Sequence, residues 1–247
     1  MTAVQWIAAE WPAPPGVIAG TTLRQGGVSG GRYASLNLAA HVGDVQKAVE
    51  ANRRRFVSTC GLPAEPKWLT QVHGANVVWS EDLGRSEPAD AILTNRPGEV
   101  CAVLTADCLP VLIASEDGTE IAAAHAGWRG LSDGILEATI AALKTPPPRL
   151  VAWFGPAISQ QAFEVGDDVR ERFLARDRAA AGFFTGNTRG RWQADLYGLA
   201  RLRLKKAGLD RHYGGERCTF GEPDAFFSYR RDGECGRMAT FIFRMED

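Results

Sequence analysis

Apolar residues in this chain fall into short blocks separated by glycine-rich and polar turns, the pattern of strands alternating with helices. The first sixty residues hold a strand and loops, AGTTLRQGGVSGGRYASLNLAAHVGD, and then a charged helix over 45–60. Leu36, Leu38 and Val42 interleave with polar residues there, which marks folded chain and not a linker. Residues 100–115 are mostly apolar, split by Asp107 and Cys108 and closed by the turn Glu116, Asp117, Gly118. Buried strands on either side of a short break fit that pattern. The next block, IAAAHAG at 121–127, reads as another buried strand. It continues into the helix WRGLSDGILEATIAALK, with apolar residues at Leu131, Ile135, Ile140 and Leu143.

The Pro run at 146–148 separates that helix from a strand in RLVAWF, which ends at Gly155 and Pro156. FEVGDDVRERFLA predicts a helix, and ADLYGLARLRLKKAGL a second one stopped by Gly208. The tail, AFFSYRRDGECGRMATFIFR, predicts a strand, a turn at Asp232 and Gly233, and a final strand. No internal repeat or low-complexity tract interrupts the series. A chain of 247 residues fits one large α/β domain or two small ones, since a single hydrophobic core stops growing at roughly 250–300 residues. One domain over 1–247 is expected.

Composition narrows the classes of function. With 45% hydrophobic and 23% charged residues, the chain has the balance of an ordinary globular protein. A formal net charge of −1 supplies no overall field for nucleic acid or an anionic membrane, although Arg53, Arg54 and Arg55 form a local cluster. No apolar run reaches the about 20 residues that span a bilayer, and MTAVQWIAAEWPAPPG lacks the basic start of a secretion signal. The 5 Cys are odd in number with no close pair, so reduced thiols in a cytoplasmic protein are expected instead of a disulfide framework.

Of the 4 His, two have unusual neighbours. His73 in TQVHGANVV and His125 in AAAHAGWRG are flanked by small residues that leave space beside an imidazole. His125 also sits where a strand meets a helix, and strand ends are where α/β proteins keep ligands. Cys108, in TADCLP, has a similar setting. Together they make a His2Cys set, the three-ligand count of catalytic zinc sites with a fourth position open. The long spacings permit such a site without requiring it. Each residue alone reads as readily as core, as do His41, His212, Cys60, Cys101 and Cys218. Asp107 could orient a metal-bound imidazole, serve as a general base, or cap a turn. Arg24, Arg129, Arg230, Arg231 and Arg237 offer planar groups that can clamp an anion, and each is equally a surface charge. The loop RQGGVSGG lacks both the Walker ending and the GxGxxG order, so a nucleotide fold is not indicated.

The segments TTLRQGGVSGG, SLNLAAHVGD, QVHG, TADCLPVL, AAHAGWRG, FGPAIS with FEVGDDV, and FFSYRRDGECGRMA follow one another from about Thr21 to Arg244. In that order they resemble the signatures of the YfiH family, also called laccase-domain or multicopper polyphenol oxidase-like proteins, or peptidoglycan editing factor. The resemblance implies a compact single-domain α/β sandwich of mixed sheets with flanking helices, similar to the catalytic domain of cytotoxic necrotizing factor. It also implies a zinc site formed by His73, Cys108 and His125. Asp107 joins these as a catalytic candidate, and Arg24, Asn37, Gln71, Arg129 and Arg230 are the expected substrate contacts. Cys235 departs from the Thr expected before GRMA, a change that should leave the ligands undisturbed.

The activities implied are phosphorolysis of adenosine, inosine and methylthioadenosine, and deamination of adenosine, with purine nucleoside and phosphate as the small-molecule partners. Zinc would lower the pKa of a bound water to about 7 for attack on C6 of adenine, and arginines such as Arg24, Arg129 or Arg230 would hold phosphate. Other readings are removal of L-Ser from a UDP-MurNAc precursor, through activated water or through Cys108 with His125 as base, and copper-dependent polyphenol oxidation. A non-enzymatic binding or redox-sensing module is a further class. Copper(II) binds N and S ligands more tightly than zinc and can enter this set, but 4 His cannot build the trinuclear cluster of a multicopper oxidase.

Overall fold

The computed structural model describes residues 3–84 and 88–245. Its first half runs β1 (Trp6–Ala8), β2 (Val17–Thr22), α1 (Gln46–Thr59), β3 (Val77–Trp79), β4 (Ala91–Thr94), β5 (Val100–Thr105), β6 (Leu109–Ser115) and β7 (Ile121–Ala126). Then come α2 (Trp128–Asp133), α3 (Ile135–Ala142), β8 (Leu150–Phe154), β9 (Glu164–Val165), α4 (Asp167–Arg176), β10 (Phe184–Gly186) and β11 (Trp192–Ala194). The chain finishes with α5 (Leu196–Lys206), β12 (His212–Gly214), α6 (Tyr229–Asp232) and β13 (Met238–Arg244).

The strands form a four-stranded sheet in the order β1-β2-β13-β5, a six-stranded sheet β12-β8-β6-β7-β4-β3, and a small sheet β10-β11-β9. The four-stranded sheet is antiparallel throughout. The six-stranded sheet is mixed, with parallel pairs at both edges, β12 with β8 and β3 with β4.

Side chains alternate across each strand, and this alternation builds the layers. On β5, Cys101 and Val103 face inward while Val100, Ala102 and Leu104 face outward; on β6, Leu112 and Ala114 oppose Leu109, Val111 and Ile113. The inner faces meet in a core that includes Val17, Val103, Leu112, Ala123, Val151 and Ile242. Helix α1 covers the outer face of the smaller sheet through Phe56, which packs on Phe241 and Phe243. Helices α3 and α5 cover the larger sheet with Ile135, Leu136, Leu199 and Leu204. The result is the mixed-sheet α/β sandwich with flanking helices expected from the sequence, here in four layers. Among the described residues, no helix is long and apolar enough to cross a membrane.

Three elements differ from the sequence expectation. In FEVGDDVRERFLA only Asp167–Arg176 is helical, since Glu164–Val165 pair with β11 as β9 and Gly166 stands at the start of the helix. The helix placed over 128–144 is two helices, because Gly134 adopts φ 102° between α2 and α3, a left-handed conformation that only glycine takes without strain. The first limb of the tail is not a strand but turns and the short α6. There the Ser228 hydroxyl accepts from the Arg231 N–H and the Asp107 carboxylate accepts from the Arg230 N–H, so side chains take the backbone donors a strand would need. Of the cluster Arg53–Arg55, Arg53 donates to Leu38 O and Arg55 to Gly26 O, while Arg54 stays exposed.

Phe241 is fully buried, with ring contacts to Phe56 at 5.1 Å and to Trp6 at 5.6 Å. Phe241→Ala is expected to cost about 3–5 kcal/mol in denaturant unfolding, whereas truncating the exposed Val28 should stay within about 0.5 kcal/mol.

Candidate metal centre

Strand pairing brings two of the three proposed ligands together. Cys108 immediately precedes β6, and the β6–β7 register sets Pro110 opposite His125 and Leu109 opposite Ala126. β4 flanks β7 on its other side, with Ala91 opposite Ala124. That register places Asp90, one residue before β4, beside His125, whose N–H donates to the Asp90 carbonyl at 2.7 Å. His73 arrives separately, on the loop before β3.

The buried Asp90 carboxylate joins these parts. It accepts from the backbone N–H groups of Val72 (3.2 Å), His73 (2.9 Å) and Gly74 (2.7 Å), and from His125 Nδ1 at 2.8 Å. An acceptor-only carboxylate on Nδ1 fixes the imidazole tautomer and leaves Nε2 free to ligate. The Asp90 carboxyl is held below its usual range: burial opposes ionisation, but the bonds from His125 and the loop amides outweigh it.

The ligand atoms of His73, Cys108 and His125 lie within 4.8 Å of one another, and the two imidazoles stand edge to face at 4.7 Å and 78°. A thiolate with two imidazoles is a donor set suited to zinc or copper. Gly127 keeps the space open, since a Cβ there would lie 3.0 Å from both Cys108 Sγ and His73 Cδ2. Gly130 lets α2 approach the His73 loop; a Cβ would fall 2.5 Å from Gly74 O. These contacts account for the small residues of HAGWRG. Among the described residues the only non-glycine positions with positive φ are His73 (61°) and Asp107 (86°), one a ligand and the other next to a ligand. Such strain gathers at functional sites.

The protein groups of the centre polarise one another. Burial works against the Cys108 thiolate, but the charge of His125 and hydrogen bonds from both imidazoles bring the thiol down to about 6. Burial also disfavours the His125 cation, yet the Cys108 charge and the bond to Asp90 lift it to about 9. By contrast, burial pushes the Cys60 thiol up to about 12, the behaviour of an inert structural cysteine.

These ligands line a cavity of about 390 Å³, bordered also by Gln71, Asp107, Arg129, Phe163, Tyr229 and Arg230. The Arg129 guanidinium lies 4.5 Å from the Trp128 ring, and that of Arg230 5.3 Å from Phe163. Gln71 pairs through its amide with both backbone groups of Leu104, at 2.9 and 2.8 Å, and ties the His73 loop to β5. Asp107 accepts from Thr219 Oγ1 at 2.6 Å and from the Arg230 N–H at 2.7 Å, so of the roles open to it the observed one is to anchor α6. Orientation of an imidazole falls to Asp90 instead, which no sequence motif marked beyond its place at the head of the apolar block AILT.

Two expected substrate contacts lie elsewhere. Arg24 donates to Ala34 O and Pro223 O and sits over Phe227, outside the cavity lining. Asn37 is fully buried, and its amide bonds to Ala39, Asp44 and the Arg237 backbone. His41, read from sequence as core, instead lines the cavity.

Fold and centre together define a four-layer α/β protein with a His-Cys-His cluster that could hold a metal ion at the edge of a cavity. The profile of the family described as multi-copper polyphenol oxidoreductase laccase matches residues 18–245, and the chain belongs to this laccase-domain, or YfiH, family. It is 50% identical over 238 residues to purine nucleoside phosphorylase YfiH of Escherichia coli, covering 96% of this chain and 98% of that one. A purine nucleoside phosphorylase of Haemophilus influenzae is 47% identical, covering 97% and 99%. Among solved structures, a Neisseria meningitidis protein superposes with a TM-score of 0.93 at 50% identity, covering 98% of this chain and 99% of its own. YlmD from Geobacillus stearothermophilus gives 0.89 at 31% identity, covering 100% and 98%.

Asp90→Asn is expected to weaken metal binding by about 10- to 100-fold, read by competition with a chromophoric chelator. In the metal-free protein, thiolate absorbance from Cys108 should titrate near pH 6 and not near the ~8.5 of a free cysteine. As pH falls through that value the thiolate takes up a proton, so metal capture should weaken on the acid side; Cys108→Ser should remove the transition.

Proposed function

We propose that this protein is a metal-dependent purine nucleoside phosphorylase, with zinc held by His73, Cys108 and His125 and phosphate as co-substrate for adenosine, inosine and methylthioadenosine. Adenosine deamination is assigned to the same site, and the setting is cytoplasmic. The observation that carries this reading is the convergence of three ligand atoms at one cavity that also presents arginines and aromatic rings. The names of near full-length relatives support the substrate class.

When bound, the metal supplies Lewis acidity that polarises an oxygen or nitrogen of the substrate. The rest falls to the chain's own residues. A volume of about 390 Å³ lies in the range of about 300–1,000 Å³ found for small-molecule sites. Trp128, Phe163 and Tyr229 bring aromatic rings to the cavity wall for a purine, and Arg129 and Arg230 add positive charge to that wall. In phosphorolysis a phosphate oxygen bonds to C1′ as the C1′–N9 bond breaks, and that electron pair leaves with the purine. Phosphate must therefore be held on the ribose face away from the base. We read Asp107 as a positioning residue that fixes Arg230 through its backbone.

One observation favours a second reading. Without metal, Cys108 and His125 form a thiolate–imidazolium couple oriented by Asp90, which is the logic of a cysteine hydrolase. Its substrate would be the L-Ser amide of a UDP-MurNAc precursor. Polyphenol oxidation by copper is the weaker fit, because 4 His leave no trinuclear cluster.

Purified metal-loaded protein incubated with adenosine and phosphate should release adenine and ribose 1-phosphate, with inosine as the deamination product. Cys108→Ala and chelation should both abolish turnover. Release of none of the three products by wild type would overturn the reading, and activity that rises on chelation would favour the thiolate hydrolase.

A further inference from the structure

A second wall of the cavity comes from elements that hold no metal ligand: the loop at 36–44 contributes His41, and the residue just before β13 is Arg237. The Arg237 Nη1 group donates to Cys235 O at 2.8 Å and Gly236 O at 3.1 Å, and its guanidinium lies 5.9 Å from the Tyr229 ring. Among the described residues no carboxylate pairs with it, and Nε and Nη2 meet no protein acceptor. Two of the other arginines raised by the sequence are already committed. Arg231 pairs with Asp232 at 2.8 Å, and Arg24 bridges two carbonyls outside the cavity. The carboxylate that lines the cavity, Asp107, has both oxygens occupied. A half-buried guanidinium with a free edge and no counter-ion is a receptor for a planar or tetrahedral oxyanion.

A buried polar network holds this wall in place. Asn37 Oδ1 accepts from the Arg237 N–H at 3.0 Å, and Asn37 Nδ2 donates to Asp44 at 2.9 Å. Asn52, buried on α1, donates to Asn37 O at 2.9 Å and to Ser29 Oγ at 2.9 Å, and the Ser29 hydroxyl donates to Asp44 at 2.6 Å. The glycine-rich loop, α1 and the start of β13 are thereby fixed together, at the cost of burying several polar groups that must all find partners. Such preorganisation is what a binding wall needs, and it gives a place in the site to Asn37 and to the loop RQGGVSGG. His41 is held below its ordinary pKa by burial and by the charges of Arg237 and Arg53, which leaves a neutral ring able to donate one N–H.

We propose that His41 and Arg237 form the anion subsite of this cavity and bind a phosphate dianion, with Asn37 as the positioning residue behind them. The identity of the anion rests on the phosphorolysis reading; the existence of the subsite does not.

The test is a titration of metal-loaded protein with inorganic phosphate, followed calorimetrically, alongside steady-state kinetics. Losing a charge-assisted hydrogen bond should raise the phosphate Kd and KM of Arg237→Gln by about 10- to 100-fold. Metal content and nucleoside KM should stay close to wild type. Arg237→Lys and His41→Gln should show smaller rises in the same constants, and they keep the test alive if Arg237→Gln folds poorly. Phosphate constants unchanged in metal-replete Arg237 and His41 variants would overturn the subsite. Arginine-dependent phosphate binding without nucleoside cleavage would leave the subsite standing and remove the phosphorylase reading. Cleavage with a normal phosphate KM in Arg237→Gln would do the reverse.

Discussion

A carboxylate taken out of water must recover several kcal/mol of lost hydration from whatever surrounds it, and in this protein that constraint falls on Asp90, which is fully buried. It is met by three successive amides of the 72–74 loop and by the imidazole of His125. Because those four donors come from two separate parts of the chain, solvating one charge also fixes where two of the three candidate ligands, His73 and His125, stand. The loop donors form a concave nest for an anion, and His73 takes its positive φ within that nest. A conformation that costs of order 1–3 kcal/mol persists only where neighbours over-determine it, and Asp90 is that neighbour.

The centre sits at a seam in the sandwich. β5 belongs to the four-stranded sheet and β6 to the six-stranded one, so the turn carrying Asp107 and Cys108 is where the chain passes between them. Cys108 lies on that turn, His125 on β7 of the six-stranded sheet and His73 on the loop before β3, while Arg237 immediately precedes β13 of the four-stranded sheet. The cavity is therefore walled by segments tied to both sheets. That arrangement explains why Asp107, at the crossing, spends its oxygens on Thr219 and on the backbone of α6: the segment at 219–232 closes the cavity and has no strand to hold it.

Glycine is used here to permit close approach. Gly127 and Gly130 stand where a Cβ would meet a ligand side chain or the carbonyl of Gly74, so HAGWRG is a packing solution as much as a ligand motif. Cys235, the position that departs from the expected Thr, lies with its sulfur 3.7 Å from Arg237 Nη1. It borders the Arg237 guanidinium.

The amino-acid sequence by itself determined the blocks that become α1, β5, β6, β7 and β8, because periodicity and turn residues act over a few positions. It also named His73, Cys108 and His125 through the motifs around them, although their spacing only permitted a site. Tertiary structure decided what depends on contacts between distant segments. Asp90 carries no local sign of its task, since its partners are seventeen and thirty-five residues away along the chain. Asn37 and Arg24 looked like substrate contacts; Arg24 is instead bonded to backbone carbonyls and Asn37 to backbone groups and the Asp44 carboxylate, while His41 looked like core and faces the cavity. Hydrophobic alternation tells which side of a strand is buried; where a buried polar group finds its partner is settled only when the sheets have closed on one another.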